Sequence, residues 1–329
     1  MKEILQYLFN HHTLSKSEAK AIMIEIAQNK FNATEVTAFI SIFLMRNITL
    51  DELKGFREAL LQMALPVNLS TRDTIDIVGT GGDGKNTINI STLASFVVAG
   101  TGQKVAKHGN YGASTITGSS NVMEALGYQF KKTSEELNED LDKANICFLH
   151  APYFHPALKS VVELRKSLGL RTFFNLLGPL VNPAKPQFSV IGVYNLEIAR
   201  IYQYLLQKEE IDFVLVHGMD GYDEISLTQD SKIITKSGEN IYSPEDLGFK
   251  TVEAENIKAG NTPEETAHIF RNILEGKGTE SQNAVVLSNA AVALYHTNKF
   301  ENYENCLNLV RESLFGGKAL HSLNQLIEC

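Results

Sequence analysis

The run Thr74-Ile75-Asp76-Ile77-Val78 leads without a break into Gly79-Thr80-Gly81-Gly82-Asp83-Gly84, and this junction constrains the fold of the chain more than any other feature. β-Branched residues make a strand and the glycines a tight turn. Ser91, at the head of an apolar stretch reaching Gly100, predicts a capped helix. A strand, loop and helix in this order begin a βαβ unit, whose next strand lies parallel to the first. The alternation continues, with strands expected at 104–107, 146–149, 188–193 and 213–216, a helix at 120–126 and another behind the capping box Thr133-x-x-Glu136. The expected fold class is therefore α/β, a largely parallel central sheet flanked by helices. A hairpin is expected at 232–242, turning at Ser237-Gly238, and three amphipathic helices after Thr262.

Residues 1–65 read differently. Three capping boxes, Ser15-x-x-Glu18, Asn32-x-x-Glu35 and Thr49-x-x-Glu52, each precede apolar residues at helical spacing and predict four short helices ending at Pro66. The chain has 329 residues, more than twice the roughly 150 of a typical domain. A smaller all-α domain at 1–70, joined by helices near 160–182, and an α/β domain at 71–329 are expected.

The charge balance, 30 Lys and Arg against 38 Asp and Glu, gives a net −8. Such a molecule is repelled by nucleic acid and by anionic lipid, so any anion it binds needs a locally positive site. Three cysteines, Cys147, Cys306 and Cys329, without metal spacing suit a reducing compartment. The opening Met1 to His12 lacks a signal-peptide pattern, and no stretch nears 18 apolar residues, which together give a cytoplasmic expectation.

Gly79, Gly81 and Gly84 match G-x-G-x-x-G, but a dinucleotide site wants an acidic residue about 20 positions on, where this chain has Lys107-His108. From Gly84 through Val122 there is no Asp or Glu, whereas the overall frequency predicts between four and five; Lys85, Lys104, Lys107 and His108 fall in the same window. A positive, glycine-rich loop at a helix start suits phosphates, against the bland reading of a turn that needs glycine for geometry alone. Asp83, set in this loop, either meets a cation or a sugar hydroxyl or closes an Asx turn. Asp220, Asp223 and Glu224 follow the strand at 213–216, where they are either a solvated turn or oxygen ligands for Mg²⁺ completed by water and substrate phosphate.

Several motifs in order carry a resemblance: Gly79 through Asp83, Asn89-x-Ser91-Thr92, Lys107-His108-Gly109-Asn110, the block from Arg165 through Arg171-Thr172-x-Phe174-Asn175-x-Leu177-Gly178-Pro179-Leu180-x-Asn182-Pro183, and Asp223-Glu224. Over essentially its whole length the chain resembles the anthranilate phosphoribosyltransferase family of tryptophan biosynthesis, in the nucleoside phosphorylase/phosphoribosyltransferase superfamily. The resemblance implies 5-phosphoribosyl 1-pyrophosphate and anthranilate as substrates, Mg²⁺ as cofactor, and a homodimer formed through the helical domain. It implies contacts to the phosphoribosyl donor from Gly79, Gly82, Asp83, Thr87, Asn89, Ile90, Ser91, Thr92, Lys107 and Ser119. It further implies contacts to anthranilate from Gly79, Asn110 and Arg165, and metal ligation by Ser91, Asp223 and Glu224, with no covalent nucleophile.

Two departures remove charge from this pattern: Tyr111 stands where many members have Arg, and Ile116-Thr117-Gly118-Ser119-Ser120-Asn121 replaces a stretch usually ending in Asp. His108 and His155 are open between chemistry and structure, and Arg165 between a substrate contact and a surface arginine. Apolar residues on several faces, Phe39, Ile40, Ile42, Phe43 and Leu44, fit either the implied dimer or burial against the α/β domain. A catalytically inactive nucleic-acid-binding homologue and a pyrimidine nucleoside phosphorylase are the alternative functions; the acidic charge argues against the first.

Overall fold

The computed structural model describes residues 1–112 and 118–328. The chain forms two compact units, Met1–Pro66 with Ala151–Pro183, and Val67–His150 with Ala184–Cys329.

In the first unit, helices Lys2–Phe9, Lys16–Ala27, Ala33–Met45 and Leu50–Met63 follow one another. All three expected capping boxes form, at Ser15, Asn32 and Thr49, each satisfying amides that the helix start would leave unpaired. The core is aromatic. Phe173, from the returning segment, lies 4.9 Å from the Phe43 ring and 4.8 Å from Phe56, and Phe39 closes the cluster edge-on. Such ring pairs add about 0.5–1.5 kcal/mol each beyond area burial, so residues 151–183 complete this core rather than link two others. Phe39, Ile40, Ile42 and Phe43 are all buried, and only Leu44 and Met45 at the helix end remain exposed. The apolar width read from the sequence is thus mostly used within the unit's own core.

Glu52 is fully buried, yet its carboxylate accepts from the Leu14 and Thr49 amides at 3.0 and 2.9 Å and from both Arg46 terminal nitrogens. Burial pushes its carboxyl up, but Arg46 and the amides outweigh this and hold it below the ordinary range.

The second unit is built on a seven-stranded sheet: β1 Ile75–Gly79, β2 Val105–Gly109, β3 Ile146–His150, β4 Phe188–Gly192, β5 Asp212–Gly218, β6 Ser231–Thr235 and β7 Glu239–Tyr242, in the order β3-β2-β1-β4-β5-β6-β7. The first five are parallel, and β6 and β7 form the expected antiparallel hairpin. Burial on both faces explains why β2, β3 and β4 are buried at every position. The chain runs outward from β1 to β3, then returns to place β4 on the other side of β1. The switch point where α/β folds bind ligands therefore lies between β1 and β4.

Two expectations need correction. The helix Ile90–Gly100 is capped by Asn89, whose Oδ1 accepts from the Thr92 amide at 3.3 Å, and Ser91 is already inside the first turn. After Thr262 the described residues hold four helices, Pro263–Leu274, Glu280–Tyr295, Tyr303–Phe315 and Lys318–Glu328, because Gly316-Gly317, the latter at φ +76°, divides what the apolar pattern runs together.

Asp140, in the helix Ser134–Ala144 that packs on β3, is fully buried and accepts from the Tyr128 hydroxyl at 2.7 Å. Burial pushes its carboxyl up to about 6, against the Tyr128 hydrogen bond. The folded state then holds this proton more tightly than the unfolded chain, so stability falls as pH rises from about 4 to about 6 and stays lower above. Asp140→Asn should therefore melt higher than wild type at pH 7.5, with the advantage gone near pH 4; equal melting temperatures at pH 7.5 would contradict it.

Candidate functional site

β1 and β4 end side by side, with Gly79 opposite Gly192 in register. The loop after β1 turns on Gly81, Gly82 and Gly84, at φ +64°, +75° and +79°, a region closed to most side chains. The acidic loop after β5 crosses over both strand ends. A Cβ at Gly192 would collide with the Asp223 carbonyl, and one at Gly79 with the Asp223 carboxylate. The Gly81 amide donates to Asp223 Oδ2 at 2.6 Å, joining the two loops.

Glu224 continues the contact. Its Oε1 accepts from the Ser91 amide at 2.8 Å, at the N-terminus of Ile90–Gly100, and Thr87 Oγ1 donates to Oε2 at 3.4 Å. A carboxylate is favoured there by the unpaired amides and the helix dipole. Asp83 does close an Asx turn, accepting from the Lys85 amide at 3.1 Å. The structure thus brings Gly79, Gly81, Asp83, Thr87 and Ser91 to Asp223 and Glu224, with Gly82, Asn89, Ile90 and Thr92 adjoining them along the chain. Asp220 stands apart, its Oδ2 taken by the Thr228 hydroxyl at 2.5 Å.

Electrostatics make this cluster costly in isolation. Burial, then the Asp83 charge, pushes Asp223 up to about 7 against the Gly81 hydrogen bond. Glu224 is pushed up by burial and by Asp223 and Asp83, with the Ser91 amide and Lys107 opposing. Lys107, fully buried on β2, donates from Nζ to the Ile77 carbonyl at 2.6 Å; burial pushes it down to about 8 while Asp76 and Glu224 resist. Among the described residues no three His, Cys, Asp or Glu side chains form a metal cage. Adjacent hard-oxygen carboxylates whose mutual repulsion a cation would relieve, beside a loop suited to phosphate, do fit Mg²⁺ shared with a phosphorylated substrate.

Asn110 and Ser119 meet next to β2, Ser119 Oγ donating to the Asn110 carbonyl at 3.4 Å. Tyr111 packs edge-on to the His150 ring at 5.0 Å, and Asn121 Oδ1 accepts from the Gly112 amide at 3.0 Å, so both departures from the family pattern have local structural partners. Ile116 and Thr117 of the second departure, and Cys329, lie outside the described residues. His108 is buried, and its backbone amide donates to Asp76 Oδ1 at 3.2 Å.

Arg165 belongs to the other unit. Its guanidinium stacks over Phe174 at 5.4 Å and donates to Asn175 Oδ1 at 3.4 Å, and burial lowers its basicity, unlike a freely solvated surface arginine. His155 there is buried, with Nε2 2.9 Å from the Val181 carbonyl; burial pushes it down to about 4, so it is neutral near pH 7 and structural. Sequence reasoning missed Asp76, the one charge inside an otherwise apolar strand, and Gly192, whose signal was a glycine closing a β-rich run.

Comparison with known proteins bears on the whole chain. Residues 71–320 match the family described as glycosyl transferase family, a/b domain, and residues 2–64 its helical bundle domain. Anthranilate phosphoribosyltransferase from Flavobacterium johnsoniae is 53% identical over 100% of this chain and 99% of its own length. The Bacteroides fragilis protein of the same name is 51% identical over 100% and 99%. Among solved structures, the Thermus thermophilus enzyme of that name superposes with a TM-score of 0.90 at 32% identity, covering 98% of both chains. The Saccharomyces cerevisiae enzyme in complex with PRPP and Mg gives 0.88 at 27%, covering 96% and 93%.

The close approach at Gly192 yields a stability test. Gly192→Ala should cost about 1–3 kcal/mol in denaturant unfolding, as overpacking against fixed backbone does, whereas Gly178→Ala, with open space around it, should cost much less. Equal costs would show that the acidic loop yields freely.

Proposed function

The chain belongs to the anthranilate phosphoribosyltransferases of the glycosyl transferase family, and from that premise we propose how its residues divide the work. The enzyme transfers the phosphoribosyl group of 5-phosphoribosyl 1-pyrophosphate to the amine of anthranilate, giving N-(5-phosphoribosyl)anthranilate and pyrophosphate in L-tryptophan biosynthesis. The observation that supports this division best is the carboxylate pair, Asp223 buried and Glu224 half-buried, held against the glycine-loop and helix amides at the switch point. Neither a nucleoside phosphorylase nor a nucleic-acid-binding homologue draws support from the relatives.

Breaking the bond from ribose C1 to pyrophosphate leaves positive charge on the sugar and negative charge on the leaving group, so catalysis is chiefly positioning and electrostatic. Gly79, Gly82, Asn89, Ile90, Thr92 and Ser119 cradle the donor, with Thr87 and Asp83 as polar contacts. Lys107 contributes its charge from beneath the loop, since its ammonium is engaged with Ile77. Ser91, Asp223 and Glu224 would hold Mg²⁺, whose chemistry there is to neutralise the departing oxygens. Asn110 and Gly79 orient the aryl amine, a competent nucleophile when neutral, and Arg165 takes the carboxylate.

The protein works as a cytoplasmic homodimer in this reading. Leu44 and Met45, exposed on Ala33–Met45, and Tyr7 and Phe9, exposed on Lys2–Phe9, offer the apolar surface, and no helix among the described residues is long and apolar enough to cross a membrane.

Four measurements test the reading. Anthranilate fluorescence should disappear only when phosphoribosyl pyrophosphate and Mg²⁺ are both present, and the Asp223→Ala/Glu224→Ala double variant should lose this turnover while melting cooperatively; near-native turnover at the same Mg²⁺ would remove the metal assignment. Arg165→Ala should raise the anthranilate KM about 10- to 150-fold, the worth of a charged hydrogen bond of roughly 1.5–3 kcal/mol, and leave that for the donor nearly unchanged. Arg165→Lys should recover part of the loss, because an ammonium lacks the planar fork. A loss confined to the donor would refute the contact.

A further inference from the structure

Asn289 lies in the middle of the helix Glu280–Tyr295, where every residue from Ala284 to Leu294 is buried. A buried amide there is unfavourable twice over. Asparagine is a poor helix former, and its polar atoms cost free energy in an apolar interior unless each is paired. The pairing found is specific. Asn289 Oδ1 accepts from the Ile225 amide at 3.1 Å, and Nδ2 donates to the Ile225 carbonyl at 2.8 Å and to Val285 of its own helix at 2.7 Å. One side chain therefore occupies both main-chain groups of the residue that directly follows Glu224, in the manner of a neighbouring strand.

We infer that Asn289 is a positioning residue for the cation site: by gripping Ile225 from behind, it fixes the backbone that presents Asp223 and Glu224 to the glycine loop. Two repelling carboxylates, Asp223 buried and Glu224 half-buried, tend to push their loop away from Asp83 and from each other. Gly192 lets the Asp223 carbonyl approach β4 but supplies no hydrogen bond from a side chain, so it permits the position without enforcing it. Asn289 supplies two, to the backbone of the residue that follows Glu224. The acids are then placed before any cation arrives, and binding does not have to supply the ordering of the loop.

The inference rests on Asp223 and Glu224 being cation ligands, and the experiment separates the two claims. The probe is Mn²⁺ with inorganic pyrophosphate, added to the full-length enzyme and followed by the paramagnetic resonance of free Mn²⁺. Asn289→Leu, which keeps the branched side-chain shape but makes no hydrogen bond, and Asn289→Ala should each weaken Mn²⁺ binding about 10- to 100-fold, the scale of partners that orient metal ligands. They should raise the Mg²⁺ needed for half-maximal turnover in proportion and leave the anthranilate KM unchanged.

Ser288→Ala is the control for general damage to this helix. Its hydroxyl donates to the Val285 carbonyl at 3.0 Å within the helix, and its loss should lower melting without weakening Mn²⁺ binding. If Glu224→Gln binds Mn²⁺ as tightly as wild type, the ligand reading fails. If Glu224→Gln loses binding and a folded Asn289 variant keeps it, the positioning role fails alone. Should neither Asn289 variant fold, amide exchange at Ile225 in the unmodified enzyme decides: slow exchange before Mn²⁺ and pyrophosphate are added supports a preset loop, and protection that appears only on their addition overturns it.

Discussion

The hydrogen bond from the Gly81 amide to the Asp223 carboxylate, 2.6 Å long, is the contact on which the rest of the site depends. It joins two loops 142 residues apart in sequence at the one place in the sheet where neighbouring strands leave in opposite directions. Everything around it serves the approach. Gly79 and Gly192 end adjacent strands without side chains, because the Asp223 backbone and carboxylate occupy that space. Gly81, in the left-handed region, gives its amide to Asp223, and the Ser91 amide at the helix start receives Glu224. The amides of Gly81 and Ser91 are met by the protein's own carboxylates.

That arrangement stores a charge imbalance. The Asp83 charge raises the proton affinity of Asp223, Asp83 and Asp223 raise that of Glu224, and the buried Lys107 opposes this only in part while its ammonium is held by the Ile77 carbonyl. In the proposed reaction Asp223 and Glu224 would hold a divalent cation, whose charge would offset their repulsion, and the glycine-loop amides would be available to the pyrophosphate.

The helical unit solves a different problem. Four short amphipathic helices cannot by themselves bury the rings of Phe39, Phe43 and Phe56, and the chain returns at Ala151–Pro183 to supply Phe173 to that cluster. The returning segment also carries Arg165, held over Phe174 and next to Asn175, and His155, which serves the Val181 carbonyl rather than any proton transfer. A single excursion of the chain thus completes a core and holds the arginine proposed to read the acceptor's carboxylate.

The sequence by itself determined the elements and much of the chemistry. Capping boxes, β-branched runs and glycines are local signals, because the hydrogen bonds and dihedral limits behind them span only a few residues. The parallel sheet, the hairpin and the acid-free window around the glycine loop were legible for that reason, as were the motifs of the family. Boundaries decided by competition were not: Asn89 took the cap expected of Ser91, and Gly316-Gly317 divided one apolar run into two helices. Only the tertiary structure decided what Gly192, Asp76 and Asn289 do. A glycine at a strand end, an acid within a strand and an amide within an apolar helix acquire their roles from backbone or charge that the fold brings against them from distant positions, and no local pattern encodes that neighbour.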